Sequence, residues 1–240
     1  PFASGNGTVG DPYVITDGEG LEGMAGGLNS YFRLANNVTL SGHTPVGTDG
    51  DPFTGTLDGA GFTISGSISG TTNVGIFGVV DDATIENLTI NGLTVTGTDG
   101  VGLIAGTMRN ANNTLTNCSI DGGTVNGVND VGSLIGILNS STISNSQVTN
   151  SDVTGTGMNI GGLVGRAIGG STIVDAYYSG TVDGTGATNV GGAVGLVSGG
   201  TNTVSNAYAN ATVTNGSGFA GSETGGVDQV DDDNVFFLDT

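Results

Sequence analysis

The segment VGLIAG, residues 101–106, decides the fold of this chain because close copies of it recur along the sequence. The copies are VGIFG (74–78), VGSLIG (131–136), IGGLVG (160–165) and VGGAVG (190–195). The first residues of successive copies lie 27, 30, 29 and 30 positions apart. A repeat of that length is typical of a solenoid, in which each unit buries its apolar face against further copies of itself.

Other residue types also recur at fixed places after each copy. When the repeats are aligned, Ile85 and Leu88 belong to two columns of equivalent positions. Both columns are mostly apolar, and they lie three residues apart. Residues an odd number apart on a strand point to opposite faces, so the chain must bend between these columns. A column of amides occupies the bend, and we predict that its side chains form a structural ladder: Asn87, Asn117, Asn145, Asp175 and Asn206.

These patterns predict an all-β fold, a parallel β-solenoid (β-helix) with turns of about 29 residues and an irregular N-terminal cap. We expect the cap and the first irregular turns in residues 1–73, with a short helical turn within 17–27. Residues 74–218 would hold the regular repeats, and residues 219–240 a closing or exchanged strand.

The charge balance excludes whole classes of partner. The net charge is −19, and the only basic residues are Arg33, Arg109 and Arg166. A nucleic-acid-binding protein needs a cationic surface, so we expect no nucleic-acid partner. No apolar run approaches the roughly 20 residues of a membrane helix, so we expect no membrane insertion.

The repeat blocks, such as VGSLIG (131–136) and GGLVG (161–165), resemble the GLUG motif, and so do stretches downstream of them, such as STISNSQVTNSDVTG (141–155). GTVGDPYVIT (7–16) and NVFFLDT (234–240) are similar to segments that commonly precede and end such repeats. The resemblance implies a parallel β-solenoid in a secreted, extracellular or cell-surface protein of bacteria or archaea, adhesins included. It implies a scaffold without catalytic residues.

The residues themselves also argue against an enzyme. His43 is the only histidine, and its turn-like surroundings, SGHTPVG, favour an exposed turn residue. Cys118 is the only cysteine and stands in an apolar column, which predicts a small buried residue. The alternative is a polysaccharide-active site built on paired carboxylates. The acidic residues that lie close enough in sequence to form such pairs are Asp49, Asp51, Asp58, Asp81 and Asp82.

We expect no cofactor, with bound calcium as the alternative. Its candidate ligands are Asp231, Asp232 and Asp233, together with the corners before the repeats: Asn73, Asp99, Asp130, Asn159 and Asn189. Several Asn-x-Ser/Thr triplets are glycosylation candidates in an exported protein. Those in apparent loops are Asn112, Asn139 and Asn215.

The sequence therefore favours an extracellular structural protein, a subunit that assembles head to tail into a cell-surface filament through its end strands. Its partner would be further copies of itself, and the candidate assembly strand is Val235, Phe236, Phe237 and Leu238. The alternative is an adhesin module that binds glycans or the surface of a host or neighbouring cell. A polysaccharide-active enzyme is the third reading.

Overall fold

The computed structural model describes residues 2–216 and 218–224, together with the backbone of residues 236–239. Short strands follow one another around a coil of about seven turns. Wherever strands of neighbouring turns pair in these residues, they pair in parallel, as β12 (Thr114–Thr116) does with β8 (Thr84–Glu86). The predicted parallel β-solenoid is confirmed.

The strands divide between two sheets that wrap the same core. In chain order the first are β1 (Tyr13–Ile15), β2 (Tyr31–Leu34), β3 (Val38–His43), β4 (Thr56–Asp58), β5 (Thr63–Ser69), β6 (Thr72–Val74), β7 (Phe77–Asp81), β8 (Thr84–Glu86), β9 (Thr89–Thr96), β10 (Asp99–Val101), β11 (Ala105–Arg109) and β12 (Thr114–Thr116). The others are β13 (Ser119–Asp121), β14 (Thr124–Gly132), β15 (Ile135–Asn139), β16 (Thr142–Gly161), β17 (Val164–Ile168), β18 (Thr172–Asp183), β19 (Thr188–Gly191), β20 (Val194–Ser198), β21 (Thr203–Thr214), β22 (Ala220–Thr224) and β23 (Phe236–Asp239). Strands β7, β11, β15, β17, β20 and β22 form a six-stranded sheet, and the remaining strands form a sheet of seventeen.

The helical turn predicted near the N-terminus is present. Helix α1 (Gly18–Gly23) is followed by a single 3₁₀ turn, Met24–Gly26. Asp17 caps the helix, because its Oδ1 accepts a hydrogen bond of 2.8 Å from the backbone N–H of Gly20. Leu21 and Met24 are fully buried, so this short helix closes the N-terminal end of the core.

Apolar residues of successive turns lie directly above one another and fill the interior. Ile85 pairs in register with Leu115, and Leu115 pairs with Ile143. All three side chains are fully buried, as are Val125 and Val153 of the column that follows. Each turn thus completes the hydrophobic layer of its neighbour, which explains why a single repeat unit could not fold alone.

The glycines of the repeat block bring the two sheets into backbone contact. A Cβ atom on Gly132, the second residue of one copy, would lie 2.6 Å from the backbone nitrogen of Gly165, which closes the next copy. A Cβ on Gly165 would in turn overlap the backbone of Asp130 and Val131, which open the preceding copy. A Cβ on Gly106 would likewise overlap the backbone of Asn73. The block therefore needs glycine because two backbones cross with no room for a side chain.

We predict that Gly165→Ala lowers the free energy of unfolding by at least about 2 kcal/mol, because the added methyl group must push two packed backbones apart. Gly50→Ala is the matched control, since a Cβ there meets no atom within 4 Å. It should change stability by less than about 0.5 kcal/mol. Denaturant unfolding followed by circular dichroism measures both changes, and equal midpoints for the two variants would contradict this explanation of the motif.

Candidate functional site

The predicted amide column, here called the outer ladder, lies at a bend in each turn. The bend separates β8 from β9 and β12 from β13, and in later turns it lies within a single long strand. The ladder's members are Asn87, Asn117, Asn145, Asp175 and Asn206, and all have left-handed backbone angles with φ between 47° and 53°. Asparagine and aspartate tolerate this conformation better than other non-glycine residues, so the column marks the bend expected from the sequence.

The outer ladder is hydrogen-bonded in two stretches, with an interruption between them. Asn117 Nδ2 donates to Asn87 Oδ1 at 2.6 Å, and Asn87 Nδ2 donates to Asp58 Oδ1 at 3.0 Å. Farther along, Asn206 Nδ2 donates to Asp175 Oδ1 at 3.1 Å. Within residues 2–216, the side chain of Asn145 has no hydrogen-bond partner and faces a surface groove instead.

A second column, the inner ladder, occupies the corner before each repeat block. It comprises Asn73, Gly100, Asp130, Asn159 and Asn189, again with positive φ throughout. Asn159 Nδ2 donates to Asp130 Oδ1 at 2.7 Å, and Asn189 Nδ2 donates to Asn159 Oδ1 at 2.7 Å. The structure removes Asp99 from this column, because Asp99 pairs in register with Asn129, and Gly100 takes the corner position.

The inner ladder carries four of the five corners proposed as calcium ligands. The side chains of Asp130, Asn159 and Asn189 bond to one another, whereas Asn73 bonds to Thr107 and Asp49. Asp130 is buried, and Arg166 Nε lies 3.1 Å from its Oδ1. Burial raises the pKa of Asp130, while the hydrogen bond from Asn159 and the charge of Arg166 act against that rise. In the part of the chain that the structure describes, no three acidic, histidine or cysteine side chains are placed to hold a metal ion. Asp231, Asp232 and Asp233 lie outside the described residues.

A third polar corner was missed in the sequence. Four buried residues each directly precede a threonine that recurs in every repeat (Thr114, Thr142, Thr172 and Thr203), and they are Asn113, Ser141, Ser171 and Asn202. Asn113 Nδ2 donates to Ser141 Oγ at 3.1 Å, and Asn202 Oδ1 accepts from the backbone N–H of Ser171 at 2.9 Å. The signal that could have revealed them is a serine or asparagine before four successive recurring threonines, which caps backbone groups where the chain turns.

We predict that Asn159→Ala destabilises the protein by about 3 kcal/mol. The change breaks one buried and one partly buried side-chain hydrogen bond and places a residue with no polar side chain at a φ of 60°. Asn91→Ala, an exposed position, is the control and should have almost no effect. Thermal unfolding of both variants distinguishes them, and a cost below about 1 kcal/mol for Asn159→Ala would show that the inner ladder adds little stability.

The expected exposed turn at His43 is wrong, because the residue ends strand β3 with its side chain buried. His43 Nε2 lies 3.0 Å from the carbonyl oxygen of Ile76, and Nδ1 lies 3.9 Å from Glu22 Oε1. Burial lowers the pKa of His43 below its ordinary value, although Glu22 and the Ile76 carbonyl oppose this. His43 therefore ties the cap helix to the first repeat and favours its neutral form.

This burial predicts a stability loss in acid. The unfolded chain binds a proton at His43 at a higher pH than the folded chain does, so stability falls as the pH drops below about 6.5. We expect the loss between pH 7.5 and pH 5 to be smaller in His43→Gln than in the wild type, as measured by denaturant unfolding at both pH values. Glu22→Gln, which removes the favourable carboxylate, should enlarge the loss. The same pH dependence in all three proteins would show that the burial of His43 does not cause the loss of stability in acid.

Of the remaining catalytic candidates, Asp49, Asp58 and Asp81 pair with arginine side chains. Within residues 2–216, Asp51 and Asp82 are exposed, and their carboxylates make no hydrogen bond or ion pair. Asp49 Oδ1 lies 3.0 Å from Arg109 Nη1, and Asp81 Oδ2 lies 3.6 Å from Arg109 Nε. Asp58 pairs with Arg33 at 3.4 Å in addition to accepting from the outer ladder. Cys118 is buried as expected, and burial raises the pKa of its thiol to about 12, which leaves no thiolate nucleophile at neutral pH.

The three glycosylation candidates differ in their surroundings. Asn112 is exposed in the turn between β11 and β12. Asn139 Oδ1 accepts a hydrogen bond from Ser140 Oγ at 3.1 Å. Asn215 Nδ2 donates to the carbonyl oxygens of Gly184 and Ala187 at 2.8 and 2.9 Å, so its amide holds a corner of the coil.

Part of the proposed assembly strand lies within the described backbone. Strand β23 pairs in parallel with Tyr208–Ala211 of β21 in the same chain, so here it acts as a closing strand. Val235 lies outside the described residues. At the other end, Ala3 and Ser4 form backbone hydrogen bonds of 2.9 Å with Val14 of β1.

A shallow surface depression, here called the corner groove, follows the outer ladder. One part, of about 420 Å³, is lined by Arg33, Asp58, Asn87, Thr89, Asn117 and Ser119 among others. The adjoining part, of about 240 Å³, shares Asn117 and Ser119 and extends to Asn145, Gln147, Asp175 and Tyr177.

In the described residues, no helix is long and apolar enough to cross a membrane.

Comparisons with known proteins find partial relatives. No family model matches the chain. It is 37% identical over 136 residues to "Halomucin" of Haloquadratum walsbyi, a match that covers 46% of this chain and 2% of that protein. It is 32% identical over 125 residues to a "Putative Gly-rich membrane protein" of Evansella cellulosilytica, covering 46% of this chain and 14% of the relative.

A solved structure shares the fold over nearly the full length. This is a "putative immunoglobulin A1 protease" from Bacteroides ovatus, with a TM-score of 0.74 and 22% identity over 98% of this chain and 86% of that one. At that identity the likeness concerns the fold alone. The chain is therefore a parallel β-solenoid, similar over part of its length to small segments of much longer proteins, and these likenesses fit an extracellular structural role.

Proposed function

We propose that this chain is an extracellular structural protein, a stiff β-solenoid subunit of a cell-surface filament. The observation that carries the proposal is the stacking itself, because apolar columns and polar corner columns run without a domain boundary from β2 through β21. Such a body resists bending, since each turn contacts its neighbours along whole strands. The resemblance of its repeats to the GLUG motif supports the same surface setting, and so do the partial relatives.

Assembly through the end strands is the finer part of the proposal. Strand β23 pairs with β21 along one edge, and within the described residues its other edge has no partner strand. An unpaired parallel edge can accept a further strand. At the N-terminal end, residues 2–4 lie outside β1, and Phe2 stacks on Tyr13 with ring centroids 4.4 Å apart. We propose that this outermost segment of one copy meets β23 of the next.

The partner in this proposal is a further copy of the chain. Among the glycosylation candidates, Asn112 suits modification best, because it is exposed and its amide makes no side-chain hydrogen bond in residues 2–216. Bonded carboxylates around Arg109 and Arg33 support a scaffold rather than a polysaccharide-active enzyme.

Electron microscopy of the protein tests the filament. We expect the full chain to form uniform filaments whose axial repeat matches the solenoid length of roughly 35 Å, given seven turns stacked about 4.8 Å apart. Variants lacking residues 1–10 or residues 231–240 should remain monomeric and folded, as judged by circular dichroism. A double substitution away from both ends, Thr149→Ala with Asn150→Ala, is the control and should still polymerise.

Dispersed monomers of the full chain, or filaments that persist in both truncated variants, would contradict assembly through the end strands. In that case the adhesin module, which binds as a single copy, becomes the better account of the same surface setting.

A further inference from the structure

The corner groove combines groups that the scaffold does not use. Its floor follows the outer ladder over several turns, and equivalent side chains repeat along it about every 4.8 Å, the spacing of stacked strands. Most lining groups are amides and hydroxyls, such as Asn117, Ser119 and Gln147. Side chains of this kind both donate and accept hydrogen bonds, as the hydroxyl groups of a sugar do.

Asn145 is the first specific feature of the groove. It stands where the outer ladder is interrupted, and within residues 2–216 neither end of its amide has a hydrogen-bond partner. Its counterpart in the preceding turn, Asn117, donates to Asn87. Within residues 2–216, Asp175 of the following turn accepts only from Asn206 on the far side. An amide and a carboxylate of adjacent turns therefore point free hydrogen-bonding atoms at the same groove.

Tyr177 is the second feature. Its ring stacks on Tyr208 of the following turn, with centroids 5.5 Å apart and the ring planes only 6° from parallel. Tyr208 covers one face of the ring, and Tyr177 lines the groove together with Gln147, its register partner in the preceding turn. A fixed aromatic face is the apolar surface that the C–H side of a sugar ring packs against.

We propose that the corner groove binds a neutral oligosaccharide, with one sugar ring packed on Tyr177 and its hydroxyl groups bonded to Asn145, Asp175 and Gln147. Acidic glycans fit poorly, because Asp58 and Asp175 line the groove and its only cation, Arg33, already pairs with Asp58 at 3.4 Å. This inference goes beyond the structural role and does not depend on filament assembly.

Titration calorimetry of the full chain tests the proposal with three neutral probes, the hexasaccharides of β-1,4-linked glucose, mannose and N-acetylglucosamine. The acidic counterpart, hexagalacturonate, is the fourth probe. We expect at least one neutral hexasaccharide to bind with a Kd below about 1 mM and hexagalacturonate not to bind. Failure of all three neutral probes at about 10 mM, or binding of hexagalacturonate alone, would overturn the proposal.

Three variants then locate the site. Tyr177→Ala should weaken binding at least tenfold and Asn145→Ala at least threefold. Met158→Ala removes a large side chain that is exposed at another corner, and it should leave the affinity unchanged. Tyr177→Phe keeps the ring and should retain binding, and circular dichroism shows whether each variant is folded. If Tyr177→Ala does not fold, Asn145→Ala decides the matter. Unchanged affinity in Asn145→Ala, or in a folded Tyr177→Ala, overturns the assignment.

Discussion

The structure depends on the crossing of two backbones at the glycines of the repeat block. At Gly132 and Gly165 the two sheets approach so closely that even a methyl group would collide with peptide atoms. This contact narrows the coil at one corner of every turn. The aliphatic residues between the glycines, such as Leu134 and Leu163, can then fill the interior completely. Glycine is therefore the residue that brings the apolar columns together, although it contributes no apolar surface itself.

A second requirement of such a coil is that its backbone must turn at each corner, and polar residues at the corners meet this requirement. Two of the three corners use asparagine or aspartate with positive φ, and the third uses buried serine and asparagine side chains to cap backbone groups. Because equivalent residues stack, each amide can bond to the one above or below it, as Asn189 does to Asn159. Turning and stacking are thus performed by the same side chains, which suits a rod that must be stiff.

Much of this architecture could be predicted from periodicity, because a solenoid places equivalent residues in contact. The bend at Asn87 and the burial of Cys118 both follow from the column they belong to. The rest depends on geometry that no column reveals. The burial of His43 arises from packing between the cap helix and the first repeat, and it joins residues 22, 43 and 76. The interruption at Asn145 and the position of Tyr177 in the groove likewise require coordinates, because they depend on side-chain orientation.

The central claim is that the glycine crossings hold the whole stack together as one cooperative unit. Native-state hydrogen exchange of the amides in residues 101–106, 131–136 and 160–165 tests it most directly. The account predicts that these amides exchange only through global unfolding, with one shared free energy and a full dependence on denaturant. Exchange through local openings of low free energy, with little dependence on denaturant, would show that the crossings are not what the stack depends on.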